Sequence, residues 1–345
     1  MEILITGGNG FLGRNLALAL QERGASLRVL ALATENTTWL EERGVRIFRG
    51  DLRDLEALQA PMQGVDKVVH LAAMMGAWRS MQDYAAVNVT GTENICRLAL
   101  AHNVQRVVHI SSAMVYNMAS GHPVTEEDPL QPLDEPYSMT KADGDRLVQR
   151  MIAEDHLPAV IIRPGTIFGP GDLLNFGRIA ERLKAGKGIR IGSGKNAVPF
   201  VYVTDVVQGL LLALEHERAP GQAYNIANDQ PLTQQELFSC IAEEVGGVPP
   251  RLYVPYFPLY SAAFAAERLA NLSGHRLSPF VTRHGVKLYG ANNLISIDKA
   301  RRELGYVPQV SLREGIRLTA AWYRQRDVPA PEQVSAGTPV TAKVS

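Results

Sequence analysis

The sequence is poor in cysteine, in net charge and in long apolar runs. Its 345 residues include only two cysteines, Cys96 and Cys240, far apart and each inside a helical pattern. That is no basis for a disulfide framework; both read as buried, reduced thiols, and no metal site is expected. Lys plus Arg and Asp plus Glu balance at 35 each, giving a formal net charge of +0. With no basic block, nucleic acid and anionic membrane surfaces are not expected partners. No stretch is long enough to span a bilayer, and the most apolar candidate, residues 256–272, is interrupted by Glu267 and Arg268. The first residues run directly into a strand without a charged leader or cleavage site, so the cytoplasm is the expected location.

What is present is a hydrophobic content of 46%, ample for a large core. Strands are predicted at 2–6, 26–32, 46–49, 67–72, 106–111 and 159–163, alternating with helices near 10–23, 37–43, 84–102 and 138–154. Continuous apolar strands suit a parallel sheet covered on both faces, and the alternation implies right-handed βαβ units in a doubly wound, Rossmann-type α/β fold. After Pro164 the rhythm changes. Gly and Pro cluster at 165–171, 186–194 and 246–258, as in loops of a smaller lobe that carries substrate contacts. Residues 200–203 and 223–226 are predicted as strands returning to the main sheet. The expected division is a dinucleotide-binding domain at 1–170 and 198–228, a substrate lobe at 171–197 and 229–326, and a disordered tail at 327–345.

The first strand enters Thr6-Gly7-Gly8-Asn9-Gly10-Phe11-Leu12-Gly13. Gly7 permits a sharp turn, Gly10 a close approach of backbone to a pyrophosphate, and Gly13 tight packing of helix on strand. The helix start, with Phe11 and Leu12 in its first turn, offers free N–H groups to phosphates. A plain structural turn is the alternative. Asp51 ends the third strand where it could accept from the adenine amino group, with Leu52 as apolar neighbour for the ring; an ordinary helix cap is the bland reading. Leu71, Ala72 and Ala73 end the fourth strand, where the backbone could approach the cofactor ribose. NAD or NADP stays undecided. Ala31 and Leu32 occupy the deciding position, Glu35 could serve NAD, and Arg14 and Arg28 could favour NADP.

At the reacting end, Ser112 closes the fifth strand. Tyr137 and Lys141, at i and i+4, share one helix face. A phenol of ordinary pKa about 10 is a poor base near neutrality. A neighbouring ammonium and a cationic nicotinamide would favour the phenolate. Tyr137 would then serve as base in alcohol oxidation and as acid in carbonyl reduction, with Ser112 bonded to the substrate oxygen. Alone, such a pair occurs by chance, with Tyr137 packing and Lys141 solvated. The ordered set of glycine turn, Ser-Ser strand end and Tyr/Lys helix is what carries weight.

TGGNGFLG at 6–13, HLAA at 70–73, NVTGT at 88–92, HISSAMVY at 109–116, YSMTK at 137–141 and RPGTIFGPGD at 163–172 together resemble the extended short-chain dehydrogenase/reductase family. The resemblance covers about residues 1–325. It implies a core of about seven parallel strands and Ser112, Tyr137 and Lys141 as the catalytic set. It further implies that Asn88 helps hold the active-site helix, that Pro164 to Thr166 approach the nicotinamide carboxamide, and that the chain forms a homodimer through the helices near 84–102 and 138–154. Sugar-nucleotide dehydratases of the family carry an Asp-Glu pair where this chain has Ala113 and Met114. Epimerases usually carry an arginine before the returning strand, where Pro199 stands here. The second half, with Ile191 to Asn196, Tyr224 to Pro231 and Leu304 to Pro308, resembles the 3β-hydroxysteroid dehydrogenase and sterol-4-carboxylate 3-dehydrogenase branch.

Met74, Met75, Trp78, Met114, Met139 and Phe168 are candidates to face an apolar small-molecule substrate, against ordinary core packing. The expected reaction is hydride transfer between the nicotinamide and a secondary alcohol or ketone of a hydrophobic compound, 3β-hydroxysteroid-like or a β-hydroxy or β-keto acid. Nucleotide-sugar 4-epimerisation is the alternative. A dinucleotide-binding sensor without turnover is an alternative from another class.

Overall fold

A computed structural model describes residues 1–325 except 77, 119–120 and 275–277. The tail expected to be disordered, 327–345, lies outside the described residues. Eleven strands are present among them: β1 Glu2–Thr6, β2 Ser26–Ala31, β3 Arg46–Arg49, β4 Lys67–His70, β5 Arg106–Ile110, β6 Ala159–Pro164, β7 Thr166–Phe168, β8 Ile189–Ile191, β9 Phe200–Tyr202, β10 Ala223–Ile226 and β11 Leu252–Val254.

Seven of them form one sheet in the order β10-β6-β5-β4-β1-β2-β3, with every neighbouring pair parallel. Side chains alternate between faces, so Ile3 and Ile5 join Leu16 and Leu210 in one apolar layer, while Leu4 joins Ile95 and Leu147 in the other. Parallel strands need covered faces, and the continuous apolar runs supply both. The strand order reverses between β1 and β4. That is the topological switch point, where the C-terminal strand ends open a crevice.

Two departures from the sequence reading matter for the site. Residues 200–202 do not return to the main sheet; β9 pairs in parallel with β7 instead. The chain turns after β6, where Gly165 N donates to Ile226 O (2.9 Å) and Thr166 N to Pro199 O (2.6 Å). A Cβ on Gly165 would lie 2.3 Å from Pro199 O, so this crossing needs glycine. β10 meanwhile fills the place beside β6. The helix expected near 84–102 starts earlier, at Met81, because Ser80 and Asp83 form a capping box. It also widens into a π-helical turn at Ala86–Thr90 before continuing as Gly91–Ala101. One further correction concerns the thiols. Cys96 is buried, whereas Cys240 is partly exposed. No described helix is long and apolar enough to cross a membrane.

Candidate active site

At the switch point Gly7 adopts φ 69°, and a Cβ there would lie 2.8 Å from Ala72 N. A Cβ on Gly13 would lie 2.3 Å from Gly7 O, so the helix Phe11–Glu22 seats against the turn only because residue 13 is glycine. That helix begins at Gly10 with no side-chain cap, which leaves its first amides open to a ligand. These features front a cleft of about 840 Å³. Its walls include Gly7, Gly10, Phe11, Leu12, Gly13, Asp51, Leu52, Leu71, Ala72, Ala73, Pro164 and Thr166, together with Tyr137 and Lys141. Every residue assigned to the cofactor thus lies on one surface. A cradle that a Cβ would fill, beside an uncapped helix start, fits a dinucleotide pyrophosphate.

The charged groups at the adenosine end are sorted by their partners. Asp51 turns to Arg53, accepting from Nε (2.9 Å), Nη2 (2.6 Å) and the backbone N (2.9 Å). Arg53 holds its carboxyl below the usual range. Asp51 therefore caps a local turn while also lining the cleft. Arg28 points away, to Glu2 (2.6 Å) and the carbonyls of Pro61 and Gln63. Arg14 donates to Asn9 O and Oδ1. Glu35 lines the cleft, accepting from Asn9 Nδ2 (3.1 Å) and Leu32 N (3.1 Å).

The reacting groups gather at the end of β5. Ser112 Oγ accepts from Met114 N (3.1 Å) as the chain enters a short 3₁₀ turn, Ala113–Val115. Tyr137 stands in the first turn of the helix Pro136–Asp155, whose N-cap Glu135 accepts from Tyr137 N (2.9 Å) and Ser138 N (2.7 Å). Lys141 lies one turn on, and its Nζ donates to Ile110 O (2.6 Å). Asn88 sits on the π-helical turn. Its Oδ1 accepts from Met74 N (2.7 Å), and its Nδ2 donates to Thr140 Oγ1 (3.0 Å). It thereby ties the loop after β4 to the tyrosine helix.

The electrostatics correct one expectation. Burial pushes the Tyr137 hydroxyl up, and only the Ser112 hydroxyl beside it works the other way. Burial lowers Lys141 to about 8, against the pull of Asp145. Among the described residues no hydrogen bond joins Tyr137 to Lys141, whose Nζ donates to the Ile110 carbonyl, and the lysine is not among the groups that shift the phenol. Behind Lys141 runs a buried chain that the sequence reading missed. Arg163 holds Asp145 through two bonds of 2.8 Å and donates to Tyr116 Oη (2.7 Å), which donates to Asn225 Oδ1 (3.0 Å).

A second cavity of about 610 Å³ opens from Tyr137 into the C-terminal half, with Met75 and Trp78 on its wall. Met74 and Met114 line the first cleft. Met139 and Phe168 line neither. Met139 is two residues from Tyr137 and so faces another side of the helix. Phe168 is fully buried, with its ring 5.6 Å from those of Phe200 and Tyr202, because β7 pairs with β9. The residues common to both cavities are Met75, Tyr137, Leu174, Asn175, His284 and Leu288. Four of these were not foreseen. Leu174 and Asn175 follow a glycine-rich stretch already marked as substrate loop, but His284 comes from a helix, Arg283–Gly290, with no motif to flag it. Among the described residues no group of three or more His, Cys, Asp or Glu is arranged to hold a metal.

Residues 3–227 match the model of the NAD dependent epimerase/dehydratase family. The 2-alkyl-3-oxoalkanoate reductase of Stenotrophomonas maltophilia (strain K279a) is 37% identical over 333 residues, covering 93% of this chain and 99% of that protein. The 3beta-hydroxysteroid-dehydrogenase/decarboxylase isoform 1 of Arabidopsis thaliana is 31% identical over 342 residues, covering 92% of this chain and 78% of that one. Among solved structures, a double mutant of the dTDP-glucose 4,6-dehydratase DesIV from Streptomyces venezuelae, with NAD bound, superposes with a TM-score of 0.77 at 28% identity. It covers 94% of this chain and 97% of that one.

Proposed function

This chain belongs to the NAD dependent epimerase/dehydratase family and is an NAD-dependent oxidoreductase; from that premise we propose that it reduces the carbonyl of a hydrophobic β-oxo acid. The observation that carries the reading is the second cavity, with Met75, Trp78, Leu174 and Leu288 among its walls, which meets the cofactor cleft at Tyr137. Similarity along almost the whole chain to a 2-alkyl-3-oxoalkanoate reductase supports it.

NAD, when bound, supplies the hydride-transfer chemistry at its nicotinamide. The chain's own groups do the rest. The glycine turn and the helix start at Gly10 hold the pyrophosphate. Ser112 and Tyr137 both bond the substrate oxygen, and the Tyr137 hydroxyl gives its proton to that oxygen as the carbonyl carbon receives the hydride. The carbonyl becomes a hydroxyl, and Tyr137 regains a proton from solvent. Burial pushes the Tyr137 hydroxyl above its ordinary range and so favours its protonated form, the form that can donate to a carbonyl oxygen. Lys141 orients the cofactor end of the cleft, and Asn88 braces the helix that bears both groups. Glu35, on the cleft wall and accepting from Asn9 Nδ2 and Leu32 N, would bond a ribose hydroxyl and repel a phosphate, so NAD is the proposed cofactor over NADP. Residues 171–197 and 229–326 are assigned to the substrate lobe, and the assembly is proposed to be a homodimer.

The test is a panel of 2-alkyl-3-oxo acids, 3-oxosteroids and UDP-sugars, followed by loss of reduced-nicotinamide absorbance. Oxidation of NADH with the oxo acids is expected, and Tyr137→Phe should lower kcat by about 10²–10⁴-fold, the usual contribution of a positioned acid. Turnover of UDP-sugars alone, with no net change in nicotinamide, would overturn the reading in favour of epimerisation.

A further inference from the structure

Of the six residues common to the two cavities, Met75, Leu174 and Leu288 are apolar and Tyr137, Asn175 and His284 carry polar groups. Asn175 Nδ2 is engaged with Ile167 O (3.3 Å). His284 is the one junction residue able to carry positive charge. Its ring packs edge-on against Tyr137, with centroids 5.9 Å apart at 78°. Its Nδ1 lies 3.4 Å from Glu135 Oε1, and no described residue bonds its Nε2. Glu135 itself is tied to the helix start through Tyr137 N and Ser138 N. Burial pushes its carboxyl up, but His284 and the Ser138 amide outweigh burial and hold it below its ordinary range. The contact with Glu135 orients the ring through Nδ1 and leaves Nε2 without a described partner. The preceding residue clamps the same seam, because Arg283 donates to Glu267 (2.6 Å) and to Asp134 O (2.7 Å).

We propose that His284, oriented by Glu135, is a specificity-determining residue that binds the carboxylate of the substrate beside the reacting carbonyl. The inference rests on the β-oxo acid reading above and adds the residue that would select for it. In a β-oxo acid the carboxylate carbon is two bonds from the carbonyl carbon. A carbonyl held by Tyr137 and Ser112 therefore sets the carboxylate down within the immediate surroundings of Tyr137. Carrying a carboxylate out of water into the junction is costly unless it is paired, so it needs a cation or donors there. Lys141, the other nearby cation, donates to Ile110 O and lines the cofactor cleft but not the lobe cavity. Arg178 and Arg182 are exposed and line only the lobe cavity. His284 is what remains. A neutral ketone would gain nothing from it.

The experiment compares a 2-alkyl-3-oxo acid with its methyl ester, on the unaltered enzyme and on His284→Ala, by oxidation of NADH. The quantity read is the ratio of kcat/KM for acid to that for ester. His284→Ala should lower the ratio at least fivefold, mainly through KM for the acid, and His284→Arg should restore most of it. NADH affinity and Tm are measured on each variant, so that a folding defect, which depresses both substrates alike, leaves the ratio as readout. A fall smaller than fivefold, or an equal loss on acid and ester, overturns the role of His284. Failure of the unaltered enzyme to reduce either compound would instead overturn the underlying β-oxo acid reading.

Discussion

Each decisive residue is defined by what it is bonded to more than by its type. Asp51, Arg14, Arg28 and Glu35 were all candidates to meet the adenosine half of the cofactor. Asp51 and Arg14 take partners close by in the chain, Arg53 and Asn9, whereas Arg28 and Glu35 are also held by residues 26 positions away. Arg28 is removed by Glu2, a neighbour only across the β1–β2 pairing. Glu35 is kept in place by Asn9, which lies inside the glycine turn. From this, Glu35→Ala is expected to narrow the preference for NADH over NADPH by about tenfold or more, as the loss of one charge-assisted bond and one repulsion implies. The check is kcat/KM for both cofactors with one substrate; an unchanged ratio would remove Glu35 from cofactor choice.

At the scale of elements, the strands were legible because a buried parallel strand must be apolar throughout. The glycine turn and the tyrosine helix were legible because their chemistry is confined to a few consecutive positions. The π-helical turn at Ala86–Thr90 was not legible, since an inserted residue in a helix leaves no compositional mark. Nor was His284, whose contact with Glu135 spans 149 residues. Phe168 was misplaced because its strand looked like a loop at the mouth of the site, when pairing with β9 turns it into the core. The π turn gives Asn88 its reach to Met74 and Thr140. Asn88→Ala would leave the Met74 amide without its buried acceptor, an expected loss of about 1–3 kcal/mol in unfolding free energy. Urea denaturation measures it, and kcat should fall further than Asn88→Asp makes it fall. A variant as stable as the parent would show that the turn does not depend on that side chain.

The whole molecule bears the consequence of burying a cation at its reacting end. Lys141 has a pKa of about 8 in the fold against 10.5 in the open chain, with burial as the cause. Between those values the unfolded chain keeps a proton that the folded chain has shed. By linkage this group therefore lowers stability below about pH 8 and ceases to do so as pH rises towards 10.5. The penalty at neutral pH is on the order of 3 kcal/mol at most. Lys141→Met should accordingly be more stable relative to the parent at pH 7 than at pH 9.5, even though it loses turnover. Denaturation curves of both proteins at the two pH values decide the matter. A gap that does not change with pH would mean that the ammonium is not disfavoured by the fold.

The two cavities also differ in when their walls are made. Nearly all of the cofactor cleft is written by residue 199, whereas His284 and Leu288, which roof the junction, come much later in the chain. Domains emerging from a ribosome fold from the N-terminus onward. A nascent chain can thus possess a seat for a nucleotide well before it has any enclosure in which an oily acid could react.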